Sequence, residues 1–233
     1  MASKKELHFF PGEHTLVWVI DGAADIKADA WGGEEPIPGV IYDVMTPRPT
    51  TPGRYVIHSE APYHTKTWAL SKLTWGTPLK VDSTGKSLLY QTGVASGAWA
   101  RLEDKIPGAT LEAIKNLYFT YYGAKNTYDM DGDGVPESWV FNDFGPWAVR
   151  YYKDKNANHK LDGGESLSGE MFHTTPDNEA QAALGQPINL APSHGCIHLV
   201  PAQREVLHKA GAFNKGNDVV IHKYTEKVPA LWK

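Results

Sequence analysis

Short apolar runs rich in β-branched and aromatic residues, separated by glycine and proline turns, constrain the fold of this chain most. Runs of this kind are typical of β-strands. They outnumber the helical segments and do not alternate regularly with them, which argues against a parallel βαβ sheet. The predicted fold class is mainly β (α+β), a mixed β sandwich or barrel with peripheral helices. Strands are predicted at 15–20, 54–58, 137–141, 147–153, 169–174 and 217–223, with two short extended pieces within 68–81.

Two segments have helical patterns. In "TLEAIKNLYFTYYG", Thr110 is a good N-cap, apolar residues recur at helical spacing, and Gly123 is a typical stop. The second predicted helix is "PAQREVLHKAGA", residues 201–212. A chain of 233 residues suits one domain, so 1–233 is interpreted as a single domain.

Charge and cysteine content exclude several classes of function. The net charge of −4 predicts no affinity for nucleic acid or for an anionic membrane. No run approaches the ~18 apolar residues that cross a bilayer. The N-terminal stretch "MASKKELHFFPGEH" lacks the apolar segment of a signal peptide, so no leader is visible. The only cysteine is Cys196, which excludes an internal disulfide.

Two acidic loops have the spacing of calcium-binding loops. Alternate residues of such a loop direct six to eight oxygens at one Ca²⁺ ion, although Asp, Asn and Gly also form ordinary turns. Each loop departs from the pattern once, with Val140 where a terminal glutamate belongs and His159 where glycine belongs. A structural Ca²⁺ is predicted, with no organic cofactor. The expected ligands are Asp129, Asp131, Asp133, Val135 and Glu137 in loop 129–140, and Asp154, Asn156, Asn158, Lys160, Asp162 and Glu165 in loop 154–165.

The stretch "SHGCIH" sets the one cysteine between two histidines. If it is extended, His194, Cys196 and His198 lie on one face of a strand. Such a face suits either a soft-metal site or a nucleophilic thiolate beside an imidazole, and an inert buried cysteine is the third interpretation.

The surroundings of the thiol favour the nucleophile. Gly195 permits a sharp turn that leaves room for a substrate carbonyl, with the amides of residues 195 and 196 as an oxyanion hole. A further histidine, His173, ends the predicted strand 169–174. The nineteen residues between His173 and Ser193 are enough to loop out and return antiparallel beside that strand.

These residues resemble a known family. "SHGCIHL" with an upstream histidine is similar to the signature of the L,D-transpeptidase catalytic domain, in which a histidine is followed by Ser/Thr-His-Gly-Cys, an apolar residue and Asn or Arg. "TPRPTTPGRYVI", "SKLTWGTPLKV" and "NDVVIH" resemble other segments of that domain, so the likeness spans roughly residues 13–223. The gap after His173 is longer than usual, and the Asn or Arg position is His198. The acidic loops are no part of the minimal domain, so 124–168 is interpreted as an insertion.

The resemblance implies roles for the motif residues. Cys196 is the nucleophile, and His173 is the general base and acid. The Thr174 carbonyl holds the His173 tautomer, and His194 with Gly195 shapes the oxyanion pocket. Ser193 supports the motif loop, and His198 contacts substrate.

The resemblance also implies a substrate and a place. Cys196 attacks the carbonyl of an L-centre in a peptidoglycan stem peptide, releases the terminal D-alanine and forms a thioester. An amine acceptor then gives cross-linking or D-amino acid exchange, and water gives L,D-carboxypeptidase activity. The expected location is the bacterial envelope (periplasm) or outside the cell. Either a housekeeping enzyme or an interbacterial effector fits, and an immunity protein is the expected partner of an effector.

Two interpretations of other classes stay open on the residues alone. One is a zinc hydrolase or zinc-binding protein using His194, Cys196 and His198, although the motif lacks the usual spacing of zinc ligands. The other is a calcium-stabilised binding module, which leaves the thiol motif unexplained.

Overall fold

The computed structural model describes residues 3–37, 39, 48–93 and 97–232. The strands are β1 (Lys5–Phe10), β2 (Thr15–Ile20), β3 (Ala23–Trp31), β4 (Gly53–Ala61), β5 (Leu79–Val81), β6 (Leu88–Gln91), β7 (Trp99–Arg101), β8 (Ala148–Tyr152), β9 (Leu167–His173), β10 (Ile197–Leu199) and β11 (Asp218–Ile221). The α-helices are α1 (Leu102–Lys105), α2 (Leu111–Tyr122), α3 (Pro176–Ala183) and α4 (Pro201–Lys209). Three 3₁₀ turns cover Pro11–Glu13, Leu70–Lys72 and Ala230–Trp232.

The chain divides into two compact units. The barrel unit comprises Met1–Ala61, Ala148–Thr174 and Asn189–Lys233, and the second unit comprises Pro62–Trp147 and Thr175–Ile188. The segment 124–168 is divided between them, because its strand β8 pairs with β4 and β9 in the barrel. The two acidic loops therefore lie in different units, and a single domain with an insertion remains an interpretation of the sequence.

The barrel unit is a closed eight-stranded barrel in the order β1-β11-β4-β8-β9-β10-β3-β2. The pairs β1·β11 and β9·β10 are parallel and the other pairs are antiparallel, so the predicted mainly β fold with a mixed barrel and peripheral helices is confirmed. The prediction that the motif strand returns antiparallel beside the strand of His173 is wrong, because β10 runs parallel to β9. The connection contains helix α3, and a crossover of this length lets β10 run parallel to β9.

The barrel core is filled by side chains at alternate positions of the strands. In β1, Leu7 and Phe9 are fully buried inside, and Leu16 and Trp18 of β2 pack with them. Later strands contribute Tyr151, Phe172, Ile197, Leu199 and Val219 to the same core. The core-facing residues Phe172 of β9 and Ile197 and Leu199 of β10 are thus apolar, whereas Glu170, on the same face of β9 as Phe172, is a polar exception.

The second unit packs around a three-stranded sheet, β5-β6-β7, and helix α2. The predicted boundaries of α2 are confirmed, because Thr110 Oγ1 accepts a hydrogen bond from the Ala113 amide and Gly123 ends the helix at φ 64°. The other predicted helix, 201–212, is α4 and ends earlier, at Lys209. Among the described residues, none of the helices is both long enough and apolar enough to span a bilayer.

Two strand predictions in this unit are wrong. Residues 137–141 make only a single bridge, from Ser138 to Pro78, and the Trp139 amide donates to the Thr77 carbonyl. Trp139, Val140 and Phe141 are all fully buried, so this apolar run is an extended core segment without a ladder. The first predicted extended piece within 68–81 is the 3₁₀ turn Leu70–Lys72.

Candidate active site

Ser193 closes the turn that presents the thiol. Its amide donates to the Gly32 carbonyl, and it forms a parallel bridge with Gly33, which fixes the start of the motif to the end of β3. Its Oγ donates to the Cys196 carbonyl at 2.5 Å and accepts from the Gly195 amide at 3.0 Å. This one hydroxyl holds both ends of the turn, as expected for a residue that supports the loop.

Gly195 gives the turn its shape. Its φ is +104°, a conformation that L side chains rarely adopt, and an added Cβ would lie 3.0 Å from Oε1 of Glu170. The Gly195 amide donates to the Ser193 hydroxyl, so it does not form the predicted oxyanion hole together with the Cys196 amide. The Cys196 amide is left as the candidate donor of the two.

The bend at Gly195 also prevents the extended arrangement predicted for 194–198. His194 and Gly195 are bends, and regular strand begins only at Ile197. Within the described part of the chain, the group of three acidic, histidine or cysteine side chains that converges closely enough for a metal is Asp129, Asp131 and Glu137. The predicted zinc set His194, Cys196 and His198 does not converge, and that alternative is wrong in geometry.

Cys196 lies directly before β10, beside β9. The register pairs Ile197 with Phe172 and His198 with His173, so Cys196 is next to Met171, whose backbone amide donates toward the thiol. Met171 and His173 are on the same face of β9, separated by about 7 Å of strand. The residue is partly exposed, but burial of the sulfur raises the pKa of the Cys196 thiol to about 11.

His173 is buried and anchored by its neighbour. Its Nδ1 lies 2.7 Å from the Thr174 carbonyl oxygen, the contact expected from the sequence. A carbonyl only accepts, so Nδ1 carries the proton and Nε2 keeps the basic lone pair. The pKa of His173 is lowered to about 3, chiefly by burial and also by nearby His198, and the Thr174 carbonyl acts in the opposite direction.

The other two histidines of the motif have different surroundings. The ring of His198 meets the His173 ring edge to face, with centroids 4.8 Å apart, and its Nδ1 is 3.0 Å from the Ala191 carbonyl. Burial lowers the pKa of His198. The His194 side chain is exposed, and its carbonyl accepts a 2.7 Å hydrogen bond from Nε of Arg48. His198 thus pairs with His173, whereas the hydrogen bond from Arg48 engages the backbone of His194.

Three residues around the thiol were missed from the sequence: Arg48, Thr51 and Glu170. The Arg48 guanidinium lowers the pKa of the Cys196 thiol, and the Glu170 carboxylate raises it. Thr51 binds Glu170 through its amide and its hydroxyl. Arg48 and Thr51 lie in the proline-rich segment 46–57, of which residues 46 and 47 are outside the described residues. Of the three, Glu170 could have been noticed from the sequence, because its carboxylate lies two residues from Phe172, on the same buried face of a strand.

No protein-family model matches this sequence, and no curated protein matches it as a relative. Similar solved structures include an L,D-transpeptidase from Xylanimonas cellulosilytica (11% identity, TM-score 0.40), one from Mycobacterium smegmatis (12%, 0.37) and L,D-transpeptidase 3 from Mycobacterium tuberculosis (15%, 0.32). Each match covers 95% of this chain but 62%, 59% and 61% of the other chain, so this chain spans about three fifths of their length. At these identities and TM-scores the likeness does not establish an activity, which has to be argued from the site.

The first acidic loop, 129–140, is organised around Asp129. The buried Asp129 carboxylate accepts from the amides of Gly132, Asp133 and Gly134, and Glu137 Oε1 accepts from the amides of Met130 and Asp131. Asp133 Oδ1 accepts from the Val135 amide. Glu137 therefore turns back into the loop, where its carboxylate lies near those of Asp129 and Asp131.

The second acidic loop, 154–165, has the same pattern. Asp154 accepts from the amides of Asn156, Asn158 and His159, and Asn158 Oδ1 accepts from the Lys160 amide. Both side-chain amides, of Asn156 and Asn158, donate to Asp162, and Glu165 accepts from the Lys155 and Asp162 amides. His159 has φ +56°, the left-handed conformation that its position was expected to require.

Calcium binding at both loops remains a prediction. If Ca²⁺ binds only the native state, it raises the free energy of unfolding by RT ln(1 + [L]/Kd). This increase is about 2.7 kcal/mol when the ion is in hundredfold excess over Kd. We expect Glu165→Gln to weaken the second loop more than the first, and to lower the melting temperature only in calcium, because Glu165 is the terminal bidentate candidate. Asp131→Asn is the matched variant in the first loop. Equal melting temperatures with calcium and with chelator, in a metal-free preparation, would identify both loops as ordinary turns.

Proposed function

We propose that this chain is a cysteine-dependent L,D-transpeptidase that acts on peptidoglycan stem peptides. The observation that carries the proposal is the Ser193–Cys196 turn beside β9, with His173 anchored through Nδ1 on the adjacent strand. A nucleophile, a base and a group that orients the base are the parts that covalent acyl transfer needs. The names of the similar solved structures agree with this chemistry.

Acylation begins from a neutral pair. The pKa of the thiol is about 11 and that of His173 is about 3, so at neutral pH the pair is S–H and uncharged imidazole. A resting thiolate–imidazolium ion pair is strongly disfavoured. The thiol proton therefore moves to His173 Nε2 as the sulfur attacks, so transfer and attack are coupled.

The attacked atom is the carbonyl carbon of the L-centre that precedes the terminal D-residue. Sγ forms a bond to this carbon, and the carbonyl oxygen becomes an oxyanion, for which the Cys196 amide is the candidate donor. The C–N bond then breaks, and the leaving amine of D-alanine takes the proton from His173. The product is a thioester on Cys196.

Transfer repeats these steps in reverse. An acceptor amine attacks the thioester carbonyl and gives a proton to His173, the C–S bond breaks, and the sulfur recovers that proton. An amine on a second stem gives a cross-link, a D-amino acid gives exchange, and water gives L,D-carboxypeptidase activity. This substrate would place the enzyme in the bacterial envelope or outside the cell.

The test is turnover of a peptidoglycan tetrapeptide after two separate treatments. We expect a thiol alkylator to stop D-alanine release and a chelator to leave it largely intact, because the chemistry needs the sulfur. Loss of release with the chelator alone, in protein that stays folded, would favour metal chemistry. No release from the untreated protein would favour a binding module.

A further inference from the structure

Glu170 is a buried carboxyl group that the proposed chemistry does not use. It is on β9, three residues before His173, and is only 6% exposed. Burying a carboxylate is unfavourable unless donors surround it. An apolar side chain of this size would fill the same space without that penalty, so the carboxyl needs another explanation.

Donors from two other segments face this carboxyl group. The Thr51 hydroxyl donates to Oε1 at 2.7 Å, and the Thr51 amide lies 3.2 Å from both oxygens. The Tyr151 hydroxyl donates to Oε2 at 3.4 Å. The Tyr55 hydroxyl in turn donates to the Thr51 carbonyl at 3.0 Å. This hydrogen bond holds in place the part of the proline-rich segment that contains Thr51, called the Thr51 segment below.

The carboxyl group also touches the turn that carries the nucleophile. A Cβ built on Gly195 would be 3.0 Å from Oε1 and 3.1 Å from Cγ of Glu170. The Gly195 backbone therefore lies close to this side chain, with no room for a Cβ between them. Glu170 joins the Thr51 segment, strand β8 and the motif turn at one point.

We propose that Glu170 is a positioning residue for Cys196: its carboxylate fixes the Gly195 turn against the Thr51 segment and sets the charge around the sulfur in opposition to Arg48. This inference rests on the proposed function for its catalytic consequence, but its effect on the thiol is independent of any substrate.

Five ionisable groups face the carboxyl group from the elements packed around it: Arg48, Tyr55, Tyr151, Cys196 and Tyr224. Burial raises the pKa of Tyr55 to about 12 and raises those of Tyr151 and Tyr224. Burial also raises the pKa of Glu170, while the Thr51 hydrogen bonds and the Arg48 charge act in the opposite direction. Arg48 and Glu170 are therefore the charged groups that oppose each other at the sulfur.

The direct test is the pH dependence of Cys196 alkylation by iodoacetamide, followed by mass. Glu170→Gln removes a negative charge that disfavours the thiolate, so we expect the midpoint to fall by about one pH unit. Arg48→Gln removes a positive charge and should move the midpoint upward. Asp25→Asn, at an exposed position of β3, is the matched control and should leave it unchanged. An unchanged or higher midpoint in folded Glu170→Gln overturns the proposal.

Glu170→Asp separates position from charge and also covers the case in which the glutamine variant fails to fold. Aspartate keeps the charge but withdraws it from Gly195, so we expect the alkylation midpoint to stay high while kcat/KM for the tetrapeptide falls roughly tenfold to a hundredfold. Wild-type kcat/KM in this variant would contradict the positioning role. If the wild-type protein shows no turnover but the midpoints shift as expected, the proposed function fails and the role of Glu170 at the thiol stands.

Discussion

Replacing Cys196 by alanine is expected to abolish D-alanine release from a peptidoglycan tetrapeptide, by at least about a thousandfold, while the protein stays folded. The chain has no second thiol that could take over the covalent step. The turn does not depend on the sulfur, because it is held by the Ser193 hydroxyl and the Gly195 conformation. The change in unfolding free energy should therefore be about 1 kcal/mol or less.

The serine variant makes this result more specific. Cys196→Ser keeps a nucleophilic atom of similar size, but the hydroxyl is far less acidic than the thiol, so we expect an equally inactive protein. Circular dichroism and the melting temperature check the fold. A single mass increment with iodoacetamide in the wild type, absent in both variants, assigns the reactive atom. Turnover retained by a folded alanine variant would end the transpeptidase proposal.

The elements that could be predicted have strong local signals. Strand β2 has a continuous β-branched and aromatic run, and α2 has a capping threonine and a terminating glycine. Local signals failed where tertiary packing decides the outcome. Residues 137–141 have the composition of a strand, yet Trp139, Val140 and Phe141 are buried core residues and the segment forms only one isolated bridge. The parallel direction of β10 depends on helix α3 in the connection, which was not predicted.

The candidate site shows the same division. The motif and its resemblance indicated Cys196, His173 and the Thr174 carbonyl, because those residues carry a recognisable pattern. Arg48 and Thr51 carry none, since they are 146 and 119 residues away from the groups they bind, His194 and Glu170. Sequence reasoning also treated the Gly195 amide as available, whereas its partner, the Ser193 hydroxyl, is two residues away. Side-chain hydrogen bonds that depend on one turn conformation are not visible in a residue pattern.

Replacing His173 by alanine is expected to reduce turnover nearly as much as loss of Cys196, whereas His198→Ala should cost roughly tenfold. Without His173 the thiol, with a pKa of about 11, loses its proposed base and stays protonated at neutral pH. The two variants are a matched pair, because each removes an imidazole from directly paired positions of β9 and β10 whose rings are 4.8 Å apart. Only one of the two rings is anchored by the Thr174 carbonyl.

The pH profile distinguishes the two histidines further. A His173 pKa near 3 means that the base stays unprotonated at mildly acidic pH, so wild-type kcat/KM should not fall as pH drops through the usual histidine range. His198 contributes to that low pKa, so its removal should shift any acid limb toward higher pH. The measurement is kcat/KM against pH for the wild type and His198→Ala, with His173→Ala assayed at neutral pH. Loss of activity that is larger for His198→Ala than for His173→Ala would show that the proton passes through the other ring, and the roles proposed for the pair would have to be exchanged.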